Sequence, residues 1–136
     1  MPALTAHSRK KWRAAGYFVE QAEHITRMGS IVRRHDTFGF ADLIAIKHRS
    51  LVFLQVTSWG NVSARANKIA REDHGTGQYG SPMYEIAHDL LSLYDRGEAR
   101  PLVRIVVEGW RRRDNRWESR EIEITPAELY KRRKDA

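Results

Sequence analysis

Cysteine is absent from this chain of 136 residues, which excludes disulfide staples and thiolate metal sites and permits a reducing compartment. Also missing is any run near the roughly 20 apolar residues a membrane-spanning helix needs. The opening Met1-Pro2-Ala3-Leu4-Thr5-Ala6-His7-Ser8 lacks the apolar stretch of a signal peptide, so the expectation is a cytoplasmic protein with no membrane partner. No segment repeats, and the three glycines of Asp73-His74-Gly75-Thr76-Gly77-Gln78-Tyr79-Gly80 do not have phosphate-loop spacing. His24 and His35 lack the i, i+4 spacing of a helical zinc pair and read as structural or phosphate-contacting. Positive charge, by contrast, is plentiful. Lys and Arg number 24 against 17 Asp and Glu, a net +7, which makes polyanions the first partner class to weigh against a merely solvated surface.

The length predicts one domain, 1–136, able to bury about two-thirds of its unfolded surface. Ala3 to Ala15 reads as a helix with Leu4, Trp12 and Ala15 facing the core and Gly16 as its stop. Tyr17-Phe18-Val19-Glu20 reads as a strand, and Ile31-Val32 begins or extends the next one, with Arg33-Arg34-His35-Asp36 leading onward. Phe40 to Ile46 and Leu51 to Thr57 are short apolar runs joined by Lys47-His48-Arg49-Ser50, a hairpin pattern. After a turn at Ser58-Trp59-Gly60, Asn61 caps a helix to about Arg71 that buries Val62, Ala66 and Ile69. The glycine-rich loop follows. Ser81 and Pro82 then open a helix with Met83, Ile86, Ala87, Leu90, Leu91 and Tyr94 on one stripe, ending before Gly97. Leu102 to Val107 and Trp117 to Ile124 form a second hairpin around a basic turn, Arg111 to Arg116, and Thr125-Pro126-Ala127-Glu128 caps a short last helix. The predicted class is α/β, a mixed central sheet flanked by helices.

Chemistry concentrates in the first hairpin. If Ile46 faces Leu51, paired numbers sum to 97 and Asp42 lies opposite Gln55, with Cβ atoms about 5 Å apart. Thr57 shares that face because strand side chains alternate. An aspartate starting one strand and a Gln55-Val56-Thr57 triplet ending its antiparallel neighbour resembles the PD-(D/E)xK nucleases, the superfamily of restriction endonucleases and Holliday-junction resolvases. The segment Asp36-Thr37-Phe38-Gly39-Phe40-Ala41-Asp42 is similar to small phage and bacterial proteins of that kind, and the resemblance covers roughly residues 3 to 72. It implies a restriction-endonuclease-like sheet, Mg2+ or Mn2+ as cofactor, and DNA, possibly branched, as substrate. A homodimer is implied if the substrate is a four-way junction, which needs two symmetric cuts.

The triplet here is a degenerate Q-x-T variant. Gln55 offers a neutral oxygen where a carboxylate would stand, which lowers magnesium affinity. Thr57 donates a hydrogen bond but carries no charge for the phosphate transition state. Lys47 is about 16 Å from Asp42 along the strand, too far to help. Lys68 on the following helix is the better cation, and Glu20, Glu23 or Asp36 could restore negative charge. Asp42, Gln55 and Asp36 are thus the metal candidates; Asp42, Gln55, Thr57, Lys68, Glu20 and Glu23 are the catalytic ones. Arg33, Arg34, Arg65, Lys68 and Arg71 would anchor phosphates. Arg111-Arg112-Arg113 with Trp110 and Trp117 could clamp a single strand, or be an exposed turn beside strand aromatics. Three functions follow: a metal-dependent nuclease, an inactive nuclease-fold protein that binds nucleic acid, or a protein-interaction domain on the same scaffold.

Overall fold

The computed structural model describes residues 2–22, 24–38, 40–48, 50–70, 83–92, 103–127 and 129. Within them the chain runs α1 (Pro2–Ala14), β1 (Phe18–Gln21), β2 (His24–Met28), β3 (Ile31–His35), β4 (Leu43–Lys47), β5 (Ser50–Ser58), a 3-10 turn (Trp59–Asn61), α2 (Val62–Ala70), α3 (Met83–Leu91), β6 (Val103–Arg113) and β7 (Arg116–Ile124). The fold is α/β, with a mixed five-stranded sheet in the order β1-β4-β5-β6-β7 and helices packed on both faces. Among the described strands only β5 and β6 pair in parallel, and α2 and α3 lie in the crossover that a parallel pair requires. No helix among the described residues is long and apolar enough to cross a membrane.

Gly16 ends α1 by adopting φ +94, a left-handed conformation that side chains resist. Its N–H donates to Arg13 O at 2.9 Å and the Tyr17 N–H to Trp12 O at 3.1 Å, a Schellman closure. Trp12 and Tyr17 complete it with an edge-to-face contact at 4.9 Å. Lys47 covers the remaining end, donating from Nζ to Ala15 O at 2.7 Å. The helix therefore stops before Ala15, which is exposed and not part of the core stripe expected for it.

Alternation along β5 and β6 sorts the core into two. Val52, Leu54, Val56, Val106 and Trp110 meet Leu4 and Trp12 of α1, while Phe53, Ile105 and Val107 meet Val62, Ala66, Ile69, Met83, Ala87 and Leu91 of α2 and α3. Burial on both faces is why these central strands read as continuous apolar runs. The first hairpin keeps the expected register, from Leu43↔Leu54 to Lys47↔Ser50, so the connection shrinks from four residues to two. Two elements differ more. Residues 24–35 fold as their own β2–β3 hairpin, turning at Gly29 (φ +61) with Met28, Ile31 and Val32 exposed. β6 runs six residues past Val107 to Arg113, so the supposed basic turn is mostly strand, and only Asp114 and Asn115 turn. Leu129 N–H closes on Thr125 O, a helical turn where the last helix was expected. The glycine-rich loop, Ser81, Pro82, Tyr94, Gly97, Leu102 and Glu128 lie outside the described residues.

The longer β6 carries a carboxylate into the α1 face. Glu108 is fully buried, and receives hydrogen bonds from Ser8 Oγ at 2.6 Å, Lys11 Nζ at 2.6 Å and Trp12 Nε1 at 3.3 Å. Trp110 Nε1 donates to Ser8 Oγ at 2.7 Å, extending the network. Opposite Glu108 on β7 stands Glu121, still 40% exposed, whose carboxyl is raised above the ordinary glutamate range by partial desolvation, with Lys11 opposing the effect and Glu108 adding to it. Between the ordinary glutamate value and the raised one, the folded chain thus holds a proton that the unfolded chain has released. Stability from this group is greatest below the ordinary glutamate value and falls as pH rises through the raised one. Melting Glu121→Gln and wild type between about pH 4 and pH 8 should show a shallower decline in the variant, whereas an identical slope would contradict the shift.

One residue further along, Gly109 lets α2 approach the sheet. A Cβ there would lie 2.1 Å from Val62 Cγ2 and 2.9 Å from the Ser58 carbonyl oxygen. Gly109→Ala should cost about 3 kcal/mol in denaturant unfolding, at the upper end for overpacking because backbone blocks relief.

Candidate active site at the carboxyl end of the central strand

Asp42 is held by its own backbone one step before β4. Its N–H donates to Leu54 O at 2.8 Å and its carbonyl accepts from Ala22 N at 2.9 Å. Its side chain then takes the place of a ladder carbonyl, with Oδ2 accepting the Val56 N–H at 2.8 Å. The preceding segment fixes this position. Thr37 and Ala41 exchange backbone hydrogen bonds at 3.0 and 2.9 Å, the Thr37 hydroxyl donates to Ala22 O, and Phe40 and Ala41 are fully buried. Asp42 is left half-buried at the rim of the α2–α3 face.

Gln55 follows Leu54, the last β5 residue in the β4 ladder, and its neighbour on β6 is Val107. It is only 6% exposed, and its Oε1 finds no hydrogen-bond partner among the described residues. A buried acceptor without a donor costs about 1–3 kcal/mol, so this atom stands out energetically. Thr57 is likewise buried, two residues on and on the same face. The register thus keeps the expected grouping of Asp42, Gln55 and Thr57.

The supporting residues are distributed less simply. Glu20 is exposed on β1 opposite Ile44, one row of the pleat before Ala22 and Asp42. Asp36 is half-exposed just ahead of the Thr37–Ala41 bridge. Among the described residues, no three His, Cys, Asp or Glu gather as a metal-ligand set, so neither acid joins Asp42 in such a cluster. Lys68 and Arg65 are exposed on α2, whose Val62, Ala66, Ile69 and Ala70 face the sheet. Arg33 and Arg34 belong to β3, and their placement is described for the backbone alone. Glu23 and Arg71 lie outside the described residues.

A cation reaches Thr57's row from a strand that sequence reasoning did not connect to it. Thr57 pairs with Gly109, and Gly109 with Arg120 of β7. The Arg120 guanidinium donates from Nε and Nη2 to Trp59 O at 3.1 and 2.6 Å and lies 5.0 Å from the Trp59 ring. Arg111, one row outward, stacks on the same indole at 3.7 Å and pairs with Glu118. The missed signal was Arg113-Asp114-Asn115-Arg116: Asp-Asn suits a two-residue turn, and centring the hairpin there brings Gly109 opposite Arg120.

Comparison of the chain with protein families, curated proteins and solved structures finds no match. The residues themselves offer one carboxylate, one carbonyl oxygen without a partner among the described residues, and a hydroxyl whose sheet row also carries, two strands away, an arginine. Oxygen donors of this kind suit a hard divalent cation such as magnesium, held with several of its waters. If Oε1 is an uncompensated acceptor in the metal-free chain, Gln55→Met should raise stability by about 1 kcal/mol in denaturant unfolding. A loss would mean that Oε1 is satisfied.

Proposed function

We propose that this chain is a metal-dependent nuclease of restriction-endonuclease-like fold that cleaves phosphodiester bonds in DNA, branched DNA included. The observation that carries the reading is Gln55 Oε1, buried without a partner among the described residues beside the Asp42 rim. Further support comes from order and placement. Asp42 immediately precedes β4, and Gln55-Val56-Thr57 closes the antiparallel neighbour β5, as the resemblance to PD-(D/E)xK nucleases implies. Asp42 and Gln55 would hold magnesium or manganese, with Asp36 or Glu20 contributing only after movement. Such an ion, when bound, polarises phosphoryl oxygen and acidifies water. In the reaction a water oxygen bonds to phosphorus as one ester P–O bond breaks. Thr57 positions a phosphate oxygen by hydrogen bonding, and Arg120, in Thr57's row across Gly109, or Lys68 on α2 counters the charge that develops there.

A second reading has its own support: both Gln55 and Thr57 are neutral and buried, which fits a nuclease fold that binds nucleic acid or a protein partner without cutting it. Asp42→Asn separates the two, because the amide oxygen can still accept the Val56 N–H while the charge is lost. Incubated with duplex, branched and single-stranded DNA and Mg2+ or Mn2+, wild type should cut and the variant should lose about a hundredfold or more in rate. Equal cleavage by both would remove Asp42 from catalysis. No cleavage by either, together with salt-sensitive DNA binding, would favour the second reading.

A further inference from the structure

The last pair between β5 and β6 is Ser58↔Trp110, yet β6 and β7 continue as a two-stranded ribbon through Arg111↔Glu118, Arg112↔Trp117 and Arg113↔Arg116. Asp114 (φ 51) and Asn115 (φ 61) close it with the doubly left-handed turn that suits a twisted hairpin. Three rows and a turn project roughly 10 Å beyond the central strand. At this tip Arg112, Arg113 and Arg116 are exposed, and none forms an ion pair among the described residues. Arg113 stands directly opposite Arg116. Like charges in that position destabilise a hairpin, whereas the next row inward neutralises Arg111 with Glu118. Folding therefore gives no reason for the outer pair.

The aromatic rings nearby are already engaged. Trp117 packs on His7 with centroids 4.4 Å apart, and Trp59 lies under Arg111. The tip thus offers three guanidinium groups, unpaired among the described residues, against one indole, Trp117, which is 42% exposed but already packed on His7, a balance that favours a duplex backbone over unpaired bases. We propose that the β6–β7 ribbon is a duplex-DNA-binding arm, its tip seated in the major groove with Arg112, Arg113 and Arg116 on the flanking phosphates. A groove about 12 Å wide accepts a two-stranded ribbon. On the face shared with Gln55 and Thr57, the neutralised Arg111–Glu118 pair separates the charges of Arg113 and Arg116 from that of Arg120 in Thr57's row. The partner class rests on the nucleic-acid reading above; the arm itself does not require cleavage.

Anisotropy titrations of the full chain with a short labelled duplex, across a salt series, test the arm. Arg113→Ala/Arg116→Ala should bind about tenfold or more weakly, with the slope of log affinity against log salt reduced by about 2. Its melting temperature at low salt should equal or exceed that of wild type, showing that the fold survives and that repulsion is relieved. An unchanged slope overturns the proposal. So does tighter wild-type binding to the unpaired strand, or competition by polyglutamate as strong as by unlabelled duplex, which would assign the arm to an acidic protein. Lost cleavage in Asp42→Asn with a normal salt slope leaves the arm standing. Conversely, an unchanged slope in a double variant that still cuts removes the arm and spares the active-site reading.

Discussion

A carboxylate with no access to water organises this molecule. Glu108 can remain in the interior only because Ser8, Lys11 and Trp12 bring donors to it, and all three lie on one helix about a hundred residues earlier. A buried charge deprived of a partner is costly, so the requirement fixes both the height and the rotation of α1 over β6. Val52, Leu54, Val56 and Val106 then pack beneath Leu4 and Trp12. Closing one face of the sheet in this way leaves the other to α2 and α3, and the candidate site opens on that second face.

Adjacent residues of β6 make opposite demands. Glu108 points towards α1 and needs polar company, while Gly109 points towards α2 and needs the absence of a side chain. That absence admits Val62 and the 3-10 turn, so Trp59 comes close enough for Arg120 to reach its carbonyl from the far strand. The positive charge in Thr57's row is therefore a consequence of packing at glycine. Gln55 Oε1, one row inward, is the unresolved term in that packing, a buried acceptor to which the described residues bring no donor.

Much of this was legible locally. The spacing of two apolar runs set the β4–β5 register, including the approach of Asp42 to Gln55, because a one-residue slip would turn every apolar side chain to the wrong face. Gly16 announced the end of α1, and Val62, Ala66 and Ile69 announced the buried side of α2. Other features were misread for physical reasons. Glu108 and the arginines after it interrupt the apolar pattern, so β6 looked shorter than it is; a buried charge is invisible to periodicity when its partners lie far away in sequence. In the β2–β3 hairpin the apolar Met28, Ile31 and Val32 remain exposed, so they imprint no buried alternation on that stretch.

The sequence by itself determined the α/β class, the first hairpin's register and the surplus of arginine, since alternation, turn chemistry and charge are properties of neighbouring residues. Only the tertiary structure decided which distant groups meet: Ser8 and Lys11 at Glu108, Arg120 across Gly109 from Thr57, and no donor at Gln55 among the described residues. Those meetings depend on how a helix seats on a sheet and how far strands continue past it. Local pattern carries no record of either, because the same run of residues would satisfy its own backbone equally well against other neighbours.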